Sequence, residues 1–424
     1  MKGALIAHRH TASSCISPLA IGLAVAIAIS PLESAGGADR GTGLPHVISC
    51  SPDDVAAAKT SLASGDTRLM PALQQLLRDA DQGLRQAAVS VLEKETSVDG
   101  AAPRDYVSFA PYWWPNPNSA DGLPYIRKDG QHNRDRRALG DVGNFSAVKR
   151  SVSALALGYY FTDDARYGRH AADLLRAWFL DPKTGMNPNL NHAQAVPGVA
   201  TGRPAGLIEF RDMPQLLDSL GLLERSPDWG EPDRKAMRAW LTSYYDWLTT
   251  NPMALKEQKA ANNHGTWYDV QAAALALYID RPDDARRIAK EFGPNRIASQ
   301  VEADGRQPRE LARVDSWGYS TFNVAAMISM AELAERAGVD IWRFQTEDGR
   351  SIKAAIGYLT PYLAEGRKWP HDQGGSGSVR RGQLSSPLLR AMRGLGPDSY
   401  ERFYLSFPRS EREARRERLL YDRR

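Results

Sequence analysis

The stretch that most constrains the fold runs from Ala260 to Ile279. A polar opening, Asn262-Asn263-His264-Gly265-Thr266-Trp267, leads into Ala272 to Leu277, a run of Ala and Leu without a charge. Asn262 or Asn263 supplies a side-chain oxygen for the orphan N–H groups of a first helical turn. A helix that is apolar all round belongs inside a protein, covered by other elements. Asn263 and Trp267 are four apart and His264 and Trp267 three apart, so an amide, an imidazole and an indole share one end and roughly one side of that helix. This is the chemistry of a pocket mouth. The plainer alternative is that Asn262 merely caps and His264 is a hydrogen-bonded structural histidine.

A second apolar helix has the same pattern. Ala154-Leu155-Ala156-Leu157 followed by Asp163-Asp164-Ala165-Arg166 matches Ala274-Leu275-Ala276-Leu277 followed by Asp283-Asp284-Ala285-Arg286, at an offset of 120 residues. Each unit reads as a buried helix, a short turn and an amphipathic helix, 164–179 or 284–292. One buried helix alternating with one half-exposed helix builds an α/α toroid, an incomplete barrel of helical hairpins with a central cleft. Further helices are expected at 52–62, 66–95, 204–223, 232–249, 320–337 and 351–364. No alternating-strand pattern is present, so an all-α fold is expected and a parallel sheet is not.

The two ends of the chain look different from its middle. Lys2 and Arg9 precede the apolar run Ile16 to Ile29, which is too short to span a bilayer, and small residues follow at Ser34 to Ala38. Residues 1–38 therefore read as a signal peptide, 39–409 as the toroid domain and 410–424 as a solvated basic tail. A periplasmic or secreted protein without a membrane anchor follows. Removing the leader changes the balance from 54 basic and 50 acidic residues to 52 and 49, too even and too dispersed to point to nucleic acid. Cys50 remains as a lone cysteine, so neither a disulfide nor a cysteine metal site is expected. The histidines at 46, 132, 170, 192, 264 and 371 form no zinc-type pair, so no metal and no cofactor are indicated. Oligomeric state cannot be read from the sequence.

Three polar segments interrupt the helices. Residues 101–144 are rich in Pro, Gly and Asn and carry Tyr112, Trp113, Trp114, Tyr125 and Arg127; residues 185–203 carry His192 and Gln194; and Arg309, Glu310, Arg313 and Tyr319 precede an apolar helix beginning near Phe322. A Gly-rich stretch at 374–378 reads as a flexible loop.

Taken together, Tyr112-Trp113-Trp114-Pro115, Gly122-Leu123-Pro124-Tyr125-Ile126-Arg127-Lys128-Asp129-Gly130, Asn262-Asn263-His264-Gly265-Thr266-Trp267 and Glu310-Leu311-Ala312-Arg313 ending at Tyr319 resemble the alginate lyase superfamily of polysaccharide lyases, over residues of about 100 to about 370. The resemblance implies an α/α toroid that cleaves alginate (polymannuronate) or a related polyuronate by metal-independent β-elimination, leaving unsaturated uronate ends. It places the carboxylate-neutralising pair on Asn263 and His264, the arginine on Arg313 and the catalytic tyrosine on Tyr319. Because short motifs slide, Asn262 remains open for Asn263, and Arg309 for Arg313. The partner implied is an acidic polysaccharide.

The chemistry asks for these residue types independently. Removing the proton next to a carboxylate builds a second negative charge, so donors such as Asn263, His264 and Arg313 must neutralise the acid. A tyrosine has an ordinary pKa of about 10 and needs a cation to act as a base; Arg313 would lower it. The same phenol can return the proton to the leaving oxygen. Tyr112, Trp113, Trp114, Tyr125, Arg127, His192, Gln194, Trp267 and Arg309 are the expected substrate contacts, the tryptophans by stacking and Arg127 by pairing with a uronate. Two other readings stay open. One is a glycoside hydrolase using two carboxylates such as Asp269 and Glu310, and the other is a non-catalytic polyuronate-binding protein.

Overall fold

The computed structural model describes residues 44–422 except 365–366 and 375–378. The expected leader, 1–38, and most of the Gly-rich loop lie outside the described residues. Ser51 accepts from the backbone N–H of Asp54 and Pro52 opens the first helix, Pro52–Ala63.

Four buried helices follow one another around the core: Val142–Thr162, Met213–Leu223, Asn263–Tyr278 and Ser316–Arg336, each packed on the next. Outer helices cover them, Ala165–Leu175 on the first, Glu231–Thr250 and Pro282–Phe292 on the third, and Ser385–Leu395 on the last. This is the α/α toroid expected. The Asn263–Tyr278 helix is buried from Gly265 through Ala276, as its apolar run from Ala272 requires, with Asp269 the one charge inside that stretch.

The internal repeat is real in structure but shifted from the sequence match. Each inner helix ends at an Asp in the left-handed region, Asp163 at φ 56° and Asp280 at φ 58°. Outer helices start at Ala165 and Pro282 and each runs into a five-residue π turn, Arg176–Leu180 and Gly293–Ile297. These features repeat at an offset of 117, not 120. Asp164 caps its helix, whereas Asp283 and Asp284 sit inside the first turn of the other, where they face the positive helix end.

Other differences have local causes. The expected helix 204–223 is a 3₁₀ segment, Pro204–Phe210, and a helix restarting at Met213, because Pro214 has no N–H to continue a ladder. The one expected at 351–364 tightens to 3₁₀ at Thr360 next to Pro361. The helix expected to begin near 320 begins at Ser316, capped by Asp315, which accepts from Gly318 N–H, so Tyr319 lies within its first turn.

Short strands do occur. β1 (Val107–Phe109) pairs in parallel with β4 (His192–Ala195), and β2 (Trp113–Trp114) pairs antiparallel with β3 (Ile126–Arg127). The expectation of no parallel pairing is corrected here; strands of two to four residues are too short to show alternation. They pin the two polar inserts together at one end of the helices.

The basic end of the chain is not solvated throughout. Leu419 and Tyr421 are buried, and the Tyr421 hydroxyl donates to Ser49 O at 3.3 Å. Its arginines pair along the chain, Arg415 with Glu411 and Arg418 with Asp422, which lets the apolar side dock.

Candidate functional site

The two halves of the motif resolve into two walls. In the first, Asn262 is the N-cap: its side-chain oxygen accepts from His264 N–H at 3.3 Å. Asn263 is therefore the inward residue, 1% exposed, and both its backbone N–H and its amide donate to the Glu310 carboxylate at 2.7 Å. The amide oxygen of Asn263 is buried without a partner among the described residues. The half-buried His264 places Nδ1 2.5 Å from Glu257 Oε1. A carboxylate there holds the proton on Nδ1 and leaves Nε2 as the ring nitrogen it does not engage.

In the second wall, Arg313 Nη2 donates to the Tyr319 hydroxyl at 2.8 Å, and its guanidinium lies 3.9 Å from the Tyr319 ring centre. The same guanidinium holds Asp129 at 2.8 and 3.2 Å. On the other side of the Tyr319 oxygen stands the Tyr112 hydroxyl, also at 2.8 Å, with His132 edge-on to the Tyr112 ring. Burial and the Tyr112 hydrogen bond push the Tyr319 phenol well above its ordinary range, with Arg313 pulling the other way. Arg313 was expected to lower it; in the ligand-free chain desolvation of the phenolate outweighs the cation.

Glu310 joins the walls. Expected as a hydrolytic carboxylate, it is 1% exposed; burial pushes its carboxyl up, and the Asn263 hydrogen bonds with nearby His264 and Arg313 oppose that shift. Arg309 is exposed and donates to Ser299 O, which places it outside the cluster and leaves Arg313 as the motif arginine. Asp269, the other hydrolytic candidate, is locked in a buried pair with Arg296 at 2.7 Å. A pair of carboxylates flanking a glycosidic bond is not what these two form.

The expected sugar contacts divide. Trp113 is half-buried on β2, with the Arg203 guanidinium 5.5 Å from its ring centre. Trp114 is half-buried, donates to Gln131 O and has Lys128 5.7 Å from its ring centre. Tyr125 is half-buried in the same segment, and the exposed Arg127 pairs with Asp129 at 2.7 Å. His192 is held by Thr201 O at 3.2 Å and lies 3.7 Å from Asp105. Gln194 is buried at a left-handed φ of 52°, its N–H donating to Ser108 Oγ. Trp267 is a correction: it packs into the core against Phe322, only 8% exposed, because position i+4 from Asn263 points inward along the helix.

Sequence reasoning missed Glu257, His132 and Arg203, and it gave Asp129, inside the motif running from Gly122 to Gly130, no role. Arg203 is the least foreseeable: its Nη1 is buried with no partner among the described residues, Arg127 adds like charge, and the nearest opposing charge is Glu257. A half-buried cation without a carboxylate of its own suits an acidic ligand. Asp129 meets Arg313 across 184 residues, whereas Glu257, seven residues before His264, and His132, in the same insert as Tyr112, are near in the chain but carry no regular spacing. Among the described residues, no group of three His, Cys, Asp or Glu side chains is arranged to hold a metal ion.

Comparison with known proteins agrees with this geometry. A search of curated proteins finds no match. An alginate lyase from Bacteroides ovatus is similar to this chain at 37% identity, covering 90% of this chain and all of its own, with a TM-score of 0.85. Alginate lyase A1-III from Sphingomonas species A1 shares the fold at 17% identity and a TM-score of 0.54, over 92% of this chain and all of its own. A variant of A1-III complexed with a tetrasaccharide gives 16% identity and a TM-score of 0.56, over 90% and 98%. The alginate lyase family model matches residues 91–369, about two thirds of the sequence, and on that extent the chain belongs to the alginate lyase family of polysaccharide lyases.

Proposed function

We propose that this lyase cleaves alginate by metal-independent β-elimination, with Tyr319 transferring the proton and with His264, Asn263 and Arg313 meeting the uronate carboxylate. The observation that carries the reading is the Tyr319 hydroxyl hydrogen-bonded to both Arg313 and Tyr112 at 2.8 Å, with Arg313 and His264 both near the buried Glu310. The B. ovatus relative and the A1-III tetrasaccharide complex support an acidic polysaccharide as substrate.

The steps follow from the groups present. Donation from Arg313, His264 and the amide of Asn263 neutralises the carboxylate and stabilises the dianion that forms when the adjacent ring proton leaves. The C–H electrons become the new double bond and the glycosidic C–O bond breaks, its oxygen taking a proton. Tyr319, held protonated in the free enzyme, is well placed as that acid. As a base it requires the bound substrate to shift the balance toward Arg313 and away from burial. In polymannuronate the proton and leaving oxygen share one face, so a single phenol serves both steps. In polyguluronate they lie on opposite faces, and Nε2 of His264, its tautomer set by Glu257, would take the proton. We favour polymannuronate as the better substrate and a periplasmic or secreted location, the latter on the leader-like residues 1–38.

The test is the ultraviolet absorbance of the conjugated product, measured as initial rates on polymannuronate and polyguluronate blocks. Absorbance rising on neither would defeat the proposal. Faster turnover of polyguluronate would make His264 the base and Tyr319 the acid alone.

A further inference from the structure

The helix Ile352–Leu359 and the turn after it form a groove that the proposed elimination does not use. It is about 410 Å³ in volume, lined by Asp304, Ala354, Tyr358, Pro361, Tyr362 and Arg367 among others. The Tyr358 and Tyr362 rings are 6.1 Å apart, and Trp369 stands edge-on to them at 5.7 and 4.9 Å. The Arg367 guanidinium lies 5.2 Å from the Tyr362 ring centre while the residue stays exposed. The lining carboxylate, Asp304, is engaged by Arg306 at 2.7 Å.

Part of this cluster is simply structural. Trp369 Nε1 donates to Ser316 Oγ at 2.7 Å, Gln373 Nε2 reaches the same oxygen at 2.8 Å, and Ser316 N–H donates to Asp372 O at 3.1 Å. His371 Nε2 is 2.6 Å from the Tyr358 hydroxyl. Those bonds fasten residues 369–373, which follow Arg367 in the chain, to the start of the helix that carries Tyr319. Tyr362 packs on the core beside Trp369, while the exposed Arg367 guanidinium next to its ring has no carboxylate partner among the described residues. A guanidinium stacked on a ring keeps its planar donor edge free for a carboxylate, and ring faces pack against the apolar faces of sugars.

We infer that this groove is a uronate subsite outside the catalytic centre, in which Arg367, steadied by Tyr362, takes a carboxylate of the polymer and Tyr358 and Tyr362 carry its sugar ring. The inference rests on the polyuronate reading above. A polymer that repeats a carboxylate on every residue offers one to the groove while another lies in the cleft.

The experiment compares wild type with Arg367→Ala and with the double variant Tyr362→Ala/Arg367→Ala, on long alginate and on an alginate tetrasaccharide. The double variant is expected to raise KM for the long polymer about tenfold, as loss of a charge-assisted contact would. Its kcat should be unchanged, and its kcat/KM on the tetrasaccharide should stay within about twofold of wild type. An unchanged KM on long polymer, in a preparation whose wild type cleaves it, would overturn the groove and leave the lyase reading intact. Wild type inert on every polyuronate would instead defeat the lyase reading. Equal losses on tetrasaccharide and polymer would also overturn the inference, because they would put the groove inside the catalytic centre. Binding of long polymannuronate to the inactive Tyr319→Phe protein gives a second readout, expected to weaken by a similar factor when Tyr362 and Arg367 are both removed.

Discussion

The two buried helix starts that form the site are held in different ways. At Asn263 and His264 the partners are carboxylates close in the chain, Glu257 seven residues before His264 and Glu310 forty-seven after Asn263. At Tyr319 the partners come from far away: Tyr112 is 207 residues earlier, and Asp129 is 184 residues before Arg313. The first wall is thus part of the helical scaffold, buried and fixed. The second is complete only when the Pro-rich segment 101–144 is docked. Charge neutralisation belongs to the rigid wall and proton transfer to the one assembled from distant pieces, where small shifts of a loop change the reacting oxygen's surroundings.

The largest effect should come from Tyr319→Phe, which removes the hydroxyl but keeps the ring under Arg313. Turnover is expected to fall at least about 1,000-fold, toward the upper end for a general acid–base group, with thermal stability and polymer binding nearly unchanged. Retention of more than about a tenth of the wild-type rate would remove Tyr319 from the chemistry.

Breaking the rigid wall should cost less per residue. His264→Ala and Asn263→Ala are each expected to lower kcat/KM about 100-fold, the scale of losing one preorganised donor. Glu257→Gln keeps the shape but loses the charge that fixes the Nδ1 proton, and a roughly tenfold loss with a displaced pH profile is expected. If His264→Ala lowered only the melting temperature, the histidine would be structural, as the plainer sequence reading allows.

Tyr112→Phe sharpens the comparison from the other side. The Tyr112 hydrogen bond is one cause of the high Tyr319 pKa, so its loss should let the phenol ionise at lower pH. If Tyr319 is the base, the rising limb of kcat/KM on polymannuronate moves toward neutrality. An unmoved limb, with the rate changed less than about tenfold, would place the base on His264.

What the sequence showed follows the same division. The Asn262-Asn263-His264 start and its apolar helix were legible because cap, polar pair and core run are contiguous. The toroid was legible for a similar reason, in the repeated pairing of a buried helix with an amphipathic one. The repeat was displaced by three residues because the eye matches Asp-Asp-Ala-Arg, whereas the fold matches the left-handed Asp163 and Asp280 that end each inner helix. Tyr319 and Arg313 were reachable only through family resemblance. Their partners Asp129 and Tyr112 were present in the text of the chain without any sign that they would meet them. Trp267 misled because helical spacing places it near Asn263 but does not say which side faces solvent; the structure turns it to the core.

A third helix start tests whether a buried carboxylate is costly when it does no chemistry. Asp141 precedes the Val142–Thr162 helix, fully buried; it accepts from Val107 N–H at 2.8 Å, and its Oδ1 has no partner among the described residues. Lys94 is 3.7 Å away, and burial pulls its own pKa down, so the pair compensates its desolvation poorly. Burial raises the Asp141 pKa to about 7. A carboxyl raised in the fold is protonated there and ionised in the unfolded chain, whose value is about 3.9. The stability it contributes is complete below about pH 4 and is lost as pH rises through about 7. Asp141→Asn cannot ionise and escapes that loss. Melting temperatures of wild type and variant, taken at a pH near 5 and again near 7.5, should therefore diverge in the variant's favour by a few degrees, equivalent to about 2 kcal/mol. A gap that does not change with pH would mean that Asp141 stays ionised in the fold and that Lys94 compensates it after all, making it a third paired start like those at Asn263 and Tyr319.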